Sequence, residues 1–392
     1  MIDAVIVDAV RTPGGKRNGK LKDWHPAALA AHVLKALEER NGIDPVIVDD
    51  VIMGCVMQVG KQALNIGRNA VLTAGWPESV PATTVDRQCG SSQQAMHFAA
   101  QGVMAGAYDV VIAAGVEVMS STPMGASVVK GMGFPFPKEM FDRYENNLPP
   151  QGIGADMIAD EYGITREDMD AFGALSQQRA VQARAEGRFD NEIIPVPYTA
   201  GEGDDQISGV HSTDEGIREG TTAESLASLK PAFKEDGKIT AGNSSQICDG
   251  ASAVLIMSAE KAASLGLKAR ARFHTFAVTG TDPVTMLKGP IPATKKVLAK
   301  SGLSIDDIDL FEVNEAFASV VLAWAKETGA DMAKVNVNGG AIALGHPLGG
   351  SGAKLMATLL NELERTGGRY GLQVMCEGGG LANATIIERI VD

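Results

Sequence analysis

Cys89 stands in the run Asp86-Arg87-Gln88-Cys89-Gly90-Ser91-Ser92, just after a β-rich stretch, Ala82 to Val85. Downstream, Met96, Ala99, Ala100, Val103 and Met104 share one helical face. A thiol so placed lies at the positive end of a helix, where unpaired N–H groups and the macrodipole favour the thiolate. An isolated cysteine is more often a small buried hydrophobe, but Gly90, Ser91 and Ser92 offer a small polar turn instead of an apolar wall. Three more groups with chemical capacity follow near the C-terminus. His346 lies in a glycine-rich loop between Asn338-Gly339-Gly340 and Gly349-Gly350-Ser351-Gly352, Cys376 ends a strand ahead of Glu377-Gly378-Gly379-Gly380, and Asn314 opens Asn314-Glu315-Ala316-Phe317-Ala318. Two thiols, an imidazole and an amide can supply a nucleophile, an acid or base and an oxyanion site.

Other readings of the same residues weigh against this one. Gly345-His346-Pro347-Leu348-Gly349-Gly350-Ser351 comes near a phosphate-binding loop, but Ser351 stands where that loop needs its Lys. No GxGxxG with an acidic residue at the right distance follows the first strand, which disfavours a dinucleotide dehydrogenase. The glycines instead let backbone pack tightly around the histidine. Asn314, just before a helical apolar face, reads equally well as an N-cap.

The elements that must position these groups alternate. Ala4 to Val10 reads as a strand, and Pro26 opens a helix whose apolar face is Leu29, Ala30, Val33, Leu34 and Leu37. Val46 to Val56 is strand-like, Ala63 to Ala74 helical, and Val110 to Val118 a near-continuous apolar run of the buried parallel type. From Met119 to about Ile247 the texture changes: Gly-Pro breaks, two polar helices (152–162 and 166–186) and an acidic, loop-like stretch from Gly201 to Gly220 suggest a cap inserted into an α/β scaffold. Alternation then resumes with strands at 251–258 and 269–279, a helix opened by Pro292, a strand at 309–313, a helix carrying Phe317, Val320, Val321 and Trp324, and two final strands at 371–376 and 381–390.

A chain of 392 residues accommodates two or three domains, and 45% hydrophobic with 21% charged residues suits a globular protein. The acidic N-terminus lacks a secretion signal's charge pattern, apolar runs are too short to span a bilayer, and the C-terminus shows no peroxisomal tripeptide, so a cytoplasmic location is expected. Cys55, Cys89, Cys248 and Cys376 form no CxxC pair, so reduced thiols are expected rather than a metal site or a disulfide framework. A net charge of −13 argues against nucleic acid and requires any polyanionic ligand to be met by a local basic patch.

Taken together, the blocks around Cys89, Asn314, His346 and Cys376 resemble, in order and spacing, the active-site blocks of the thiolase family, over essentially the whole chain. The resemblance implies an α/β thiolase fold of two similar halves, an N-terminal domain over 1–268 with a loop domain inserted at about 119–248, and a C-terminal domain over 269–392. It implies that Cys89 attacks the keto carbon of a 3-ketoacyl-CoA, that His346 takes the thiol proton and then steadies the enolate oxygen, and that Cys376 protonates the enolate carbon. Asn314 would hold a water in the enolate oxyanion hole, and the N–H groups of Cys89 and Gly378 would bind the acyl oxygen. Coenzyme A is implied as co-substrate, with Arg218 and Ser225 near its nucleotide, Phe233, Ala241 and Ser245 along the pantetheine, and Met286 and Phe317 at the inner pocket. No tightly bound cofactor or metal is implied, and a homodimer or homotetramer is.

Two departures bear on substrate. Pro150-Gln151-Gly152 replaces a His-Met-Gly segment common in short-chain biosynthetic members, and Glu377 replaces the more usual aliphatic residue between Cys376 and Gly378. Both fit degradative enzymes that act on longer or bulkier acyl chains. The alternatives are a biosynthetic acetyl-CoA C-acetyltransferase and an idle thiolase-like acyl-CoA or lipid carrier; the carrier would be expected to lose one of the four reactive groups. Decarboxylating or hydroxymethylglutaryl-type condensing enzymes lack the second cysteine, which Cys376 supplies.

Overall fold

A computed structural model describes residues 2–200 and 206–391. Its strands are β1 (Ala4–Arg11), β2 (Gly15–Lys16), β3 (Asp50–Gly54), β4 (Ala82–Val85), β5 (Val110–Val118), β6 (Val196–Ala200), β7 (Ile207–His211), β8 (Cys248–Ser258), β9 (Ala271–Gly280), β10 (Leu310–Val313), β11 (Tyr370–Glu377) and β12 (Leu381–Arg389). Ten of them form one sheet in the order β10-β11-β12-β9-β1-β8-β5-β3-β4, with β2 beside β8.

The sheet is two copies of one winding, joined where β1 runs antiparallel to β9 through Val5–Arg272 and Ile6–Ala271. Outward from that seam, β8 lies antiparallel to β1 and β5, then β3 and β4 run parallel to β5. On the other side β12 lies antiparallel to β9 and β11, β10 runs parallel to β11, and Val335 bridges Phe311 in parallel where β4 has its counterpart. Residue identity between the halves is too faint to reveal this, because the repeat is conserved as pairing geometry and not as side chains.

Strands buried on both faces explain the long apolar runs. In β1, Ala4 and Ile6 face one cluster while Val5 and Val7 face another, and a bulge between Ile6 and Asp8 resets the alternation. The outer face of the N-terminal half is covered by the helix Pro26–Asn41, which buries Leu29, Val33, Leu34 and Leu37 completely, each worth about 1.5–3 kcal/mol relative to exposure. The inner face holds two helices, Ser91–Met104 and Ser351–Thr366. Ala95, Met96, Ala99 and Ala100 of the first join Ala353, Met356, Ala357 and Leu360 of the second in one core. Cys89 and His346 each precede one of these paired helices, so the packing brings their N-terminal ends to one place.

Several boundaries differ from expectation. The helix expected from Pro292 begins at Pro290, since both prolines fit a first turn whose N–H groups have no helical acceptor. Phe317 is the N-cap of the helix Ala318–Thr328 and not a member of it. Within the stretch expected to be a loop from Gly201 to Gly220, Ile207–His211 forms β7 and pairs with β6; residues 201–205 lie outside the described residues. The inserted segment also contains the helices Gln151–Glu161 and Arg166–Ala185, the latter opened by a capping box of Thr165 and Asp168. Among the described residues no helix is long and apolar enough to cross a membrane.

Candidate active site

After β4 the chain turns through Asp86 to Gly90, with Gln88 at φ 49° and Gly90 as N-cap of the helix that starts at Ser91. Gly90 N–H bonds Arg87 O at 3.1 Å, and Ser91 N–H bonds Gln88 O at 3.0 Å. Cys89 at the tip is only 5% exposed and packs with Val56, Met119, Leu348, Leu355 and Met375. The expectation of a dipole-stabilised thiolate in a polar turn without an apolar wall is therefore overturned. Burial pushes this thiol well above its usual range, and the nearby Cys376 and Glu377 push the same way, against hydrogen bonds from the Gly378 N–H and from its own N–H. Desolvation outweighs the helix terminus, so the resting group is a neutral thiol that needs a base.

His346 is built to be that base. Its Nδ1 lies 2.5 Å from Ser351 Oγ, whose own hydrogen is donated to Pro347 O at 2.8 Å. Ser351 can then only accept from Nδ1–H, which leaves Nε2 unprotonated. Nε2 is buried and has no hydrogen-bond partner among the described residues. Burial, with Lys354 adding to it, holds the imidazole neutral by lowering its pKa to about 3. The loop is held from both ends. Buried Lys354 Nζ donates to Leu344 O at 2.5 Å and Gly345 O at 3.1 Å, and Glu117 accepts from the N–H groups of Gly349, Val56 and Met57. A Cβ on Gly349 would lie 2.7 Å from Gly54 O, which is why glycine is required there.

Asn314 follows β10 and Cys376 sits in β11, two parallel neighbours, so the strand register sets them together. Asn314 Nδ2 lies 3.6 Å from Cys376 Sγ, and its Oδ1 is buried without a partner among the described residues. The N-cap reading of Asn314 fails, since Phe317 takes that position. Burial raises the Cys376 thiol to about 11, partly offset by the Asn314 amide. Gly378 follows directly, and a Cβ there would sit 2.9 Å from Gln88 Oε1 and 3.3 Å from Gln151 Nε2. Its bareness lets the backbone approach the Cys89 turn.

A cavity of about 220 Å³ brings Cys89 and His346 together with Phe233, Ala241, Ser245 and Phe317. Phe233 and Phe317 meet edge to face with centroids 5.8 Å apart. Gln151, from the segment that departs from the short-chain pattern, also lines the cavity, whereas Pro150 and Gly152 do not. Arg218, Ser225 and Met286 are not part of this lining: Arg218 and Ser225 are exposed, the Ser225 hydroxyl bonds Thr222 O at 2.7 Å, and Met286 is half-buried. Among the described residues no cluster of three or more His, Cys, Asp and Glu could hold a metal. Sequence reasoning missed Ser351, Glu117 and Lys354, which set the histidine's tautomer and loop. A serine five residues after a histidine carries no signal by itself; only the turn at Pro347 brings the two together.

Residues 4–260 match the thiolase N-terminal domain family and residues 267–389 the thiolase C-terminal domain family. The chain is 52% identical to the steroid 3-ketoacyl-CoA thiolase FadA6 of Mycobacterium tuberculosis (strain ATCC 25618 / H37Rv), covering 100% of this chain and 95% of that protein. It is 45% identical to a 3-ketoacyl-CoA thiolase of Bacillus subtilis (strain 168), over 99% and 100% of the two chains. The crystal structure of the Bacillus anthracis acetyl-CoA acetyltransferase superposes with a TM-score of 0.89 at 41% identity, over 100% of this chain and 99% of that one. With both halves matched and the buried Cys-His-Cys-Asn arrangement in place, the chain belongs to the thiolase family.

Proposed function

We propose that this protein is a 3-ketoacyl-CoA thiolase, an acyltransferase that uses coenzyme A to cleave a 3-ketoacyl-CoA into acetyl-CoA and a shortened acyl-CoA. The observation that carries the reading is one cavity lined by both a buried neutral thiol, Cys89, and an imidazole, His346, whose unprotonated Nε2 has no hydrogen-bond partner among the described residues. In this reading Nε2 of His346 takes the Cys89 proton, the sulfur attacks the 3-keto carbon, and the N–H groups of Cys89 and Gly378 receive the developing oxyanion. Carbon–carbon cleavage releases the acetyl-CoA enolate, whose oxygen is steadied by His346 and a water on Asn314 while Cys376 delivers a proton to carbon. A thiol with its pKa near 11 retains its proton at neutral pH and suits that donor role. Coenzyme A then enters as a thiol and takes the acyl group from Cys89.

Phe233, Ala241, Ser245 and Phe317 are assigned to the pantetheine and inner pocket, supported by their place around the cavity. Met286 is assigned to the pocket's flank, and exposed Arg218 and Ser225 to the nucleotide. The acyl chain is proposed to be medium in length or bulky, supported by the Pro150-Gln151-Gly152 departure, whose Gln151 lines the cavity, and by the FadA6 relative, whose name specifies a steroid substrate. The division into domains at 1–268 and 269–392, the cytoplasmic location and a homodimer or homotetramer belong to the same reading. Self-association is supported by β4, which ends the sheet with no strand on its outer side among the described residues, and by exposed Met132 and Phe134.

Mixing the enzyme with a 3-ketoacyl-CoA and mapping peptides by mass spectrometry tests the assignment. An acyl group on the Cys89 peptide is expected, and an adduct on Cys376 alone would reverse it. The Bacillus anthracis acetyltransferase structure favours a second reading, condensation of two acetyl-CoA. A graded series of 3-ketoacyl-CoA substrates separates the two.

A further inference from the structure

Beneath the Cys89 turn lies a carboxyl group that the chemistry above leaves unused. Along β11 alternate residues face the helix Ser91–Met104: Gln373 Nε2 bonds Gln93 Oε1 at 3.0 Å, Met375 packs on Cys89, and Glu377 comes up against Gly90. From β12, Thr385 Oγ1 accepts from Gln93 Nε2 at 2.8 Å, and Asn383 Nδ2 donates to Gly90 O at 3.0 Å. The point where a Gly90 Cβ would be lies 2.0 Å from Glu377 Oε1 and 2.8 Å from both Oδ1 and Nδ2 of Asn383, so the carboxyl and the amide adjoin. Both side chains are fully buried. Neither Glu377 oxygen, nor Asn383 Oδ1, has a hydrogen-bond partner of good geometry among the described residues.

Neighbouring buried acceptors without a donor are costly unless one carries a proton. We propose that Glu377 is a positioning residue that works as a neutral carboxylic acid, donating its O–H to Asn383 Oδ1 so that Asn383 locks the Gly90 carbonyl beside the nucleophile. The charged and titratable groups around it are Arg87, Asp86 and the thiols of Cys89 and Cys376. Burial and Asp86 favour the protonated form against Arg87 and the Asn383 N–H. The strut has a functional place. The N–H of Gly378 belongs to the Glu377–Gly378 peptide, and Cys89 is bonded to Gly90, so the link ties together the two N–H donors assigned to the acyl oxygen. The inference rests on that reading of Cys89.

Two variants test it, scored by thiolysis kinetics and by the pH profile of Cys89 alkylation in the whole protein. E377Q keeps a hydrogen-bond donor, and is expected to retain kcat within about twofold with an alkylation profile superimposable on wild type. E377M keeps the bulk without the donor, and is expected to lower kcat by about tenfold or more with KM nearly unchanged. An alkylation profile displaced to lower pH in E377Q would mean that wild type holds an ionised carboxylate beside the thiols, and would overturn the proposal. Wild-type kinetics in E377M would overturn it as well. Acylation of wild-type Cys89, measured first, separates these failures from a failure of the nucleophile assignment.

Discussion

Replacing Ser351 with alanine removes one oxygen that lies behind the cavity wall and is not part of its lining, yet it should damage both half-reactions. In the folded protein Ser351 Oγ receives the Nδ1 proton of His346 while its own hydrogen is spent on Pro347 O. Without that oxygen the buried imidazole N–H has no acceptor, a deficit worth about 1–3 kcal/mol. The tautomer that keeps Nε2 free loses its preference by the same amount. If that deficit falls on the transition state, kcat/KM for thiolysis drops by roughly 5- to 150-fold. Coenzyme A-dependent loss of a 3-ketoacyl-CoA, followed by chromatography, measures turnover, and intact-protein mass spectrometry measures acylation of Cys89 in a single turnover. Both should fall together, because His346 serves the nucleophile and the enolate alike. The control is a double-mutant cycle with His346→Ala: once the imidazole is gone, Ser351→Ala should cost almost nothing more. Full activity in Ser351→Ala, or an equal loss in both backgrounds, would refute the tautomer argument.

Cys376→Ala should still accept an acyl group on Cys89 from a reactive acyl-CoA while cleavage and condensation fall by orders of magnitude; equal loss of self-acylation and turnover would end the division of labour between the thiols. Thiolysis of a medium-chain or bulky 3-ketoacyl-CoA should exceed that of acetoacetyl-CoA in kcat/KM, since each buried methylene gains about 0.8 kcal/mol, and activity falling steadily with chain length would favour the acetyltransferase. Arg218→Ala should raise the KM for coenzyme A modestly and weaken its salt dependence with kcat nearly unchanged, whereas wild-type behaviour at low and high salt would return Arg218 to a solvated charge. Buried His97 and His346 are both lowered to about 3, so between there and the ordinary value of 6.5 the unfolded chain binds more protons than the folded one, and stability should decline as pH falls through that window. Denaturant midpoints measured across it should show a shallower decline in His97→Gln; an unchanged slope would show that His97 is not held neutral.

Local order is what the residues reveal unaided. A β-branched run, a small polar turn and a 3.6-residue apolar stripe place β4, the Cys89 turn and the helix Ser91–Met104, and the observed strand Ala82–Val85 has the bounds the sequence suggests. Helix starts that fall one or two residues from the expected position, as at Phe317 and Pro290, are less legible, because several neighbouring residues can end the same stripe. The coenzyme A contacts came from resemblance, and only part of them surrounds the cavity.

By itself the sequence determined the alternation of strands and helices, the chemical types available and the blocks that carry them, since these depend on neighbours within a few residues. The tertiary structure alone decided that Cys89 is a neutral thiol, because desolvation is the sum of everything packed around it and outweighs the one local term, the helix terminus. It also decided which nitrogen of His346 is free, because Ser351 and Pro347 converge only when the loop closes, and it exposed the twofold winding, because strand pairing joins residues hundreds apart by backbone hydrogen bonds indifferent to side-chain identity.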